Sequence, residues 1–146
     1  MSALSFQTLW DNHPWPHSPC DTTAFTNQCA IRMGVALELS NVDTSGFDQM
    51  FPQRRCYPGF GHSPKHILAA QQLADWMNSD IPKFGACVKL KQVTSGDFGG
   101  KKGIVFIKNG WGTTDHIDLW NGTEMKAGSP DYFSRGQEVW FWEIKR

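Results

Sequence analysis

The sequence predicts an α+β fold, with N-terminal helices packed on an antiparallel sheet. Two observations carry this reading. Helical periodicity is confined to the first half of the chain, and apolar alternation punctuated by turn signals fills the second. The length agrees: 146 residues fit a single domain, 1–146. A chain of this size buries roughly 68–70% of its unfolded surface, enough for a core without disulfide staples.

The elements follow in order. Phe6 to Trp10 is a short helical start. The next segment, Asn12-His13-Pro14-Trp15-Pro16-His17, holds two prolines and reads as extended and irregular. Residues 28–39 form the best helix of the chain. Cys29, Ala30, Met33, Val35, Ala36 and Leu37 cover most of its circumference, the pattern of a central, buried helix. Thr26 or Asn27 is its expected cap. Residues 40–62 are polar, rich in Gly and Pro, and read as a long loop. Ser63 then caps a second helix with Pro64 at its first position, running to about Asn78 with Ile67, Leu68, Ala70, Leu73, Ala74 and Met77 on one face.

From Pro82 onward the texture is that of strands. Val88 to Val93 alternates, Gly103 to Lys108 reads as a buried strand, and Asn109-Gly110 signals a turn. His116 to Trp120 alternates again, and Asn121-Gly122 is the strongest hairpin signal. Residues 138–144 are apolar and aromatic and close the sheet.

Composition excludes several classes of function. Lys plus Arg and Asp plus Glu are both 14, so the formal charge is zero. That argues against a polyelectrolyte and against a nucleic-acid binder that works through a broad positive field. No window of 18 apolar residues occurs, so no membrane insertion is expected. The first residues lack a basic and then apolar leader, so the protein is expected to be made in the cytoplasm and not to leave by the signal-peptide route. The four cysteines are too few and scattered for a disulfide scaffold. In an oxidising compartment two of Cys20, Cys56 and Cys87 could pair, and spacing selects no pair. His62 and His66 are separated by Pro64, and neither Cys-x-x-Cys nor His-Glu-x-x-His occurs, so no metal is expected. Gly99-Gly100 reads as a turn and Lys101-Lys102 is too short for a basic patch. No cofactor is implied.

Chemistry concentrates on two residues. Cys29 sits in the first turn of the central helix, where unpaired backbone N–H groups and the helix dipole favour a thiolate. The same N–H groups suit an acyl oxyanion, with the Cys29 N–H and the Gln28 or Asn27 side chains as donors. His116 opens a strand and has a side chain suited to act as base. A third polar group should fix the imidazole tautomer. Across a two-residue turn the position facing His116 is Ala127, which lacks the chemistry. Asp131, shortly after it, is preferred over Asp118, which shares a face with His116. With seven Trp, ten Phe and two Tyr, aromatics make 13% of the chain. Most are expected in the core, with Trp111 and Trp15 as candidates for lining a substrate groove.

Four strings, taken in order, resemble one family. Asn27-Gln28-Cys29-Ala30-Ile31-Arg32-Met33 is similar to the nucleophile helix of the type VI secretion amidase effectors of the fourth family. His62-Ser63-Pro64-Lys65-His66-Ile67-Leu68 with Leu73-Ala74-Asp75-Trp76 resembles its second helix. Asp115-His116-Ile117-Asp118-Leu119-Trp120-Asn121-Gly122 resembles its histidine strand, and Glu138-Val139-Trp140-Phe141-Trp142 its terminal strand. The resemblance implies a papain-like (NlpC-type) cysteine amidase that cuts the γ-D-glutamyl–meso-diaminopimelate bond of peptidoglycan stem peptides. It implies injection into the periplasm of a competing bacterium and a cognate immunity protein in the producer's envelope. Cys29 then matches the nucleophile and His116 the base. An aspartate after the histidine strand completes the set, matched to Asp131. The family can carry a disulfide near its C-terminal half, but no cysteine follows Cys87 here. Two rival readings are an acyltransferase on the same fold and a non-catalytic cell-wall-binding module.

Overall fold

The computed structural model describes residues 5–17, 28–52, 67–79, 86–112 and 114–144. Among the described residues, five short α-helices precede or interleave four strands. They are α1 (Phe6–Asn12), α2 (Cys29–Leu39), α3 (Phe47–Met50), α4 (Ala70–Met77), β1 (Val88–Leu90), β2 (Gly103–Trp111), β3 (Thr114–Trp120), α5 (Tyr132–Arg135) and β4 (Glu138–Glu143). The strands form one antiparallel sheet in the order β1-β4-β2-β3. The α+β expectation therefore holds, with the long helices ahead of the sheet.

Alternation along the strands explains why the sheet is covered on both sides. In β2, Ile104 and Phe106 join a cluster with Leu9, Met33, Leu37, Leu73 and Trp76 from the helices. Val105 and Ile107 point the other way and pack with Phe98, Trp120, Phe133 and Phe141. β4 divides likewise, Trp140 and Trp142 to the helices and Val139 and Phe141 away from them. The consequence for function is that α2 packs along β3, an edge strand, where its N-terminus can meet that strand's side chains.

Several boundaries differ from the sequence reading. The cap of α2 is Gln28, whose side chain does not cap the helix, and the expected caps Thr26 and Asn27 lie outside the described residues. α4 begins at Ala70; Ile67 is an isolated bridge position, and Ser63 and Pro64 lie outside the described residues. Within the expected loop, α3 forms because Phe47 is fully buried against Trp76 and Phe51. The first strand stops at Leu90, since Gln92 adopts a φ of 55° that breaks the ladder.

The predicted Asn109-Gly110 turn is a bulge inside β2. Asn109 has a φ of 53°, and the register slips between the pairs Ile107↔His116 and Trp111↔Thr114. The chain reverses after Trp111, at Gly112, whose φ is +74°. Asn121-Gly122 does turn the chain: Asn121 Oδ1 accepts from the N–H groups of Thr123 (2.9 Å) and Glu124 (2.7 Å). The returning segment makes only the bridge Trp120↔Met125 and not a new strand.

Candidate active site

Cys29 is the first residue of α2 and is 5% exposed. Helix geometry leaves the first backbone N–H groups of α2 without partners inside the helix, close to the sulfur. Gln28, also buried, precedes it at the cap. The Cys29 Sγ lies 3.9 Å from the Asp115 carbonyl oxygen, which fixes the thiol beside the start of β3. The next residue of that strand is His116, whose pKa the Cys29 side chain helps to raise.

The other side of the imidazole is held by a carboxylate. His116 Nε2 lies 2.8 Å from Asp118 Oδ2. With Nε2 engaged there, Nδ1 is the nitrogen left for the thiol. Asp118 is wholly buried, and its position is fixed by backbone donors. Leu119 N–H donates to Oδ1 at 2.8 Å, and Ala127 N–H lies 3.1 and 3.0 Å from Oδ1 and Oδ2. A buried carboxylate surrounded by donors orients its neighbour without swinging away.

These contacts set the charge of the ring. Burial alone would lower the His116 pKa, but hydrogen bonds to Asp118 and Cys29, and the negative charge of both, outweigh it and raise the value to about 9. A protonated imidazole between a sulfur and a carboxylate can assist a thiol in nucleophilic chemistry.

The geometry places Asp118, and not the preferred Asp131, beside His116. The Asp131 carboxylate accepts from the Ser129 hydroxyl in the turn that leads into α5, while the carboxylate on His116 is that of Asp118. The sequence argument looked across the Asn121-Gly122 turn, yet the residue facing His116 is Ile107 of β2. The segment after the turn contributes a backbone N–H, that of Ala127, to Asp118. The sequence signal for the His116–Asp118 contact was available: residues i and i+2 of a strand share a face.

Of the groove candidates, Trp111 stands edge-on to His116, with ring centroids 5.9 Å apart. Tyr132, missed in the sequence, packs on both, 5.2 Å from His116 and 4.7 Å from Trp111. The Arg135 guanidinium lies 5.1 Å above the Trp111 ring. Trp15 is 43% exposed and carries the Arg32 guanidinium 4.7 Å above its ring. Arg32 follows Cys29 by one turn of α2, so Trp15 flanks that helix. Asn27, Cys20 and Cys56 lie outside the described residues. Cys87 carries a free thiol whose pKa is pushed up by burial. Among the described residues no cluster of His, Cys, Asp and Glu could hold a metal ion, and no helix is long and apolar enough to cross a membrane.

Comparison with known proteins points to one family and one fold. Residues 25–142 match the profile of the family Tae4, type VI secretion system (T6SS) amidase effector protein 4. No curated protein sequence matches the chain. Among solved structures, the effector Tae4 from Enterobacter cloacae superposes with a TM-score of 0.74 at 18% identity, covering 99% of this chain and 100% of that one. The Tae4–Tai4 effector–immunity complex from the same organism gives 0.71 at 19% identity, with 99% and 100% covered. The corresponding complex from Salmonella Typhimurium gives 0.69 at 20%, with 98% and 99% covered.

Proposed function

The chain belongs to the Tae4 family of type VI secretion amidase effectors, and from that premise we propose that it hydrolyses the γ-D-glutamyl–meso-diaminopimelate bond of peptidoglycan stem peptides by a Cys–His mechanism. The observation that carries the reading is the contact chain Cys29–His116–Asp118 at the N-terminus of α2.

The steps follow from the roles these groups can take. The Cys29 thiolate attacks the γ-glutamyl carbonyl carbon, and the oxygen takes the negative charge. The Cys29 N–H, with the Gln28 or Asn27 side chain, donates to that oxygen. Losing one such donor typically costs ~10²–10³ in rate. The intermediate collapses as the His116 imidazolium gives its proton to the diaminopimelate nitrogen, which leaves as an amine. A thioester remains on Cys29. Water attacks it while His116 takes a proton from the water. The products are the glutamyl carboxylate and the restored thiolate–imidazolium pair. Asp118 holds the ring in one tautomer throughout, and Trp111 and Tyr132 shield one side of it.

In this reading the protein acts in the periplasm of the recipient cell. The producer is protected by an envelope immunity protein that covers the site. The Enterobacter cloacae and Salmonella Typhimurium relatives, seen in complex with Tai4, support that partner class.

The test is digestion of purified sacculi in heavy-oxygen water, followed by mass spectrometry of the fragments. Cleavage at the γ-D-glutamyl–meso-diaminopimelate bond with one heavy oxygen at the new glutamyl carboxyl is expected. A product carrying an added amine acceptor would instead indicate a transferase. Sacculi left intact would indicate a binding module.

A further inference from the structure

One buried side chain outside the three reacting groups also faces this site. His13 ends α1, its N–H donating to the Leu9 carbonyl at 3.0 Å, and it is 3% exposed. Trp15 N–H donates to its Nδ1 at 3.2 Å, so that nitrogen carries no proton and the neutral ring holds its proton on Nε2. Nε2 makes no hydrogen bond and stands 4.0 Å from Asp118 Oδ1. A buried donor without a full partner is costly, and one aimed at a buried carboxylate calls for a reason. The segment is also pinned to the nucleophile's helix. Arg32 Nε donates to the His17 carbonyl at 3.0 Å, and its guanidinium covers Trp15.

We propose that His13 is a positioning residue whose Nε2–H, beside Oδ1, holds the Asp118 carboxylate with Oδ2 turned to His116. This rests on the Cys29–His116–Asp118 reading above. His13 precedes residues 25–142, so the family match does not reach it. At 4.0 Å the N–H acts as a dipole beside a charge, and that attraction is strong where water is excluded. The charged and titratable groups facing His13 are Asp118 and His116 of β3, Lys126 beyond that strand, and Arg32 of α2. Burial lowers its pKa to about 4; Asp118 opposes the shift, while Lys126, Arg32 and His116 reinforce it. Asp118 thus stands between a histidine that stays neutral and one that stays protonated, each turned to a different oxygen.

Losing the donor should loosen the hold of Asp118 on His116, so the imidazolium that supports the Cys29 sulfur is less firmly anchored. The probe is the rate of Cys29 alkylation by iodoacetamide against pH, with kcat/KM on stem peptides and a thermal melt. In His13→Leu the acid limb of alkylation is expected to move up by about half a unit, and kcat/KM to fall roughly tenfold. His13→Gln, whose amide N–H reaches the place of Nε2, should restore both. His13→Asn, too short to do so, should behave like the leucine variant. If the leucine variant does not fold, the Gln–Asn pair carries the test. Equal limbs in those two would overturn the proposal, as would a folded leucine variant with the wild-type limb. Asp118→Asn is measured alongside. If it shifts the limb and the His13 variants do not, only the role of His13 fails. If it does not shift the limb, the catalytic reading fails and this one with it.

Discussion

Cys29→Ala is expected to lower the release of stem-peptide fragments from sacculi by roughly 10⁴–10⁶-fold, the scale on which removing a nucleophile acts. The reason is that no other thiol among the described residues can substitute. Cys87 lies at the start of β1, across the sheet order from β3, and burial holds its pKa up. Folding should change little. The thiol is a small side chain, and its removal leaves a cavity costing about 1 kcal/mol. The His116 pKa should also fall, because the sulfur's hydrogen bond and charge both support the protonated ring. The check is fragment release alongside a thermal melt. A variant that melts like the wild type yet keeps a tenth of its rate would remove Cys29 from the mechanism.

Asp118→Asn is expected to lower kcat/KM by about 10²–10⁴, while Asp131→Asn stays within a few-fold of wild type. The carboxamide matches the carboxylate in shape but not in bonding. Its oxygen can accept from only some of the donors now shared between the two oxygens, and its NH₂ must face either His116 Nε2 or the N–H groups of Leu119 and Ala127. Turned to Nε2, it makes that nitrogen an acceptor and inverts the tautomer that Cys29 requires. Asp118→Ala strips the buried pair of one member and should cost about 3–5 kcal/mol of stability as well. Asp131, exposed in the turn before α5, bonds Ser129 and has no comparable task. Kinetics on stem peptides combined with urea unfolding separates the two effects. Comparable losses in Asp118→Asn and Asp131→Asn would refute the assignment of the orienting carboxylate.

How much of this was legible in the sequence depended on which interactions set each feature. α2 was clear because its residues are apolar on nearly every side, and only a central helix tolerates that. Its first residue, Cys29, followed from the same pattern. His116 was clear from the alternation around it. The bulge at Asn109 was not, because Asn-Gly is equally suited to a turn and to a residue at positive φ inside a strand. Which of the two forms is decided by pairing with β3 and β4. Which of Asp118 and Asp131 lies beside His116 was hidden for a related reason. It required knowing that the segment after Asn121-Gly122 does not continue as a strand and that β2, not that segment, faces His116. His13 was invisible as anything more than part of a proline-bounded stretch. Its meaning comes from Trp15 N–H fixing its tautomer and from α2 fixing its place, both tertiary effects.

The central claim is that a His116 imidazolium donates the proton that lets the amine leave a Cys29-bound intermediate. The measurement that tests it most directly is kcat/KM for stem-peptide hydrolysis against pH, run beside alkylation of Cys29 over the same range. His116 is protonated below about 9 and loses its proton through that value. Alkylation of the sulfur needs no proton donor, so it should persist above that value while hydrolysis falls. Hydrolysis that holds level to pH ~10.5 in folded protein, or that falls only in step with alkylation, would contradict the account.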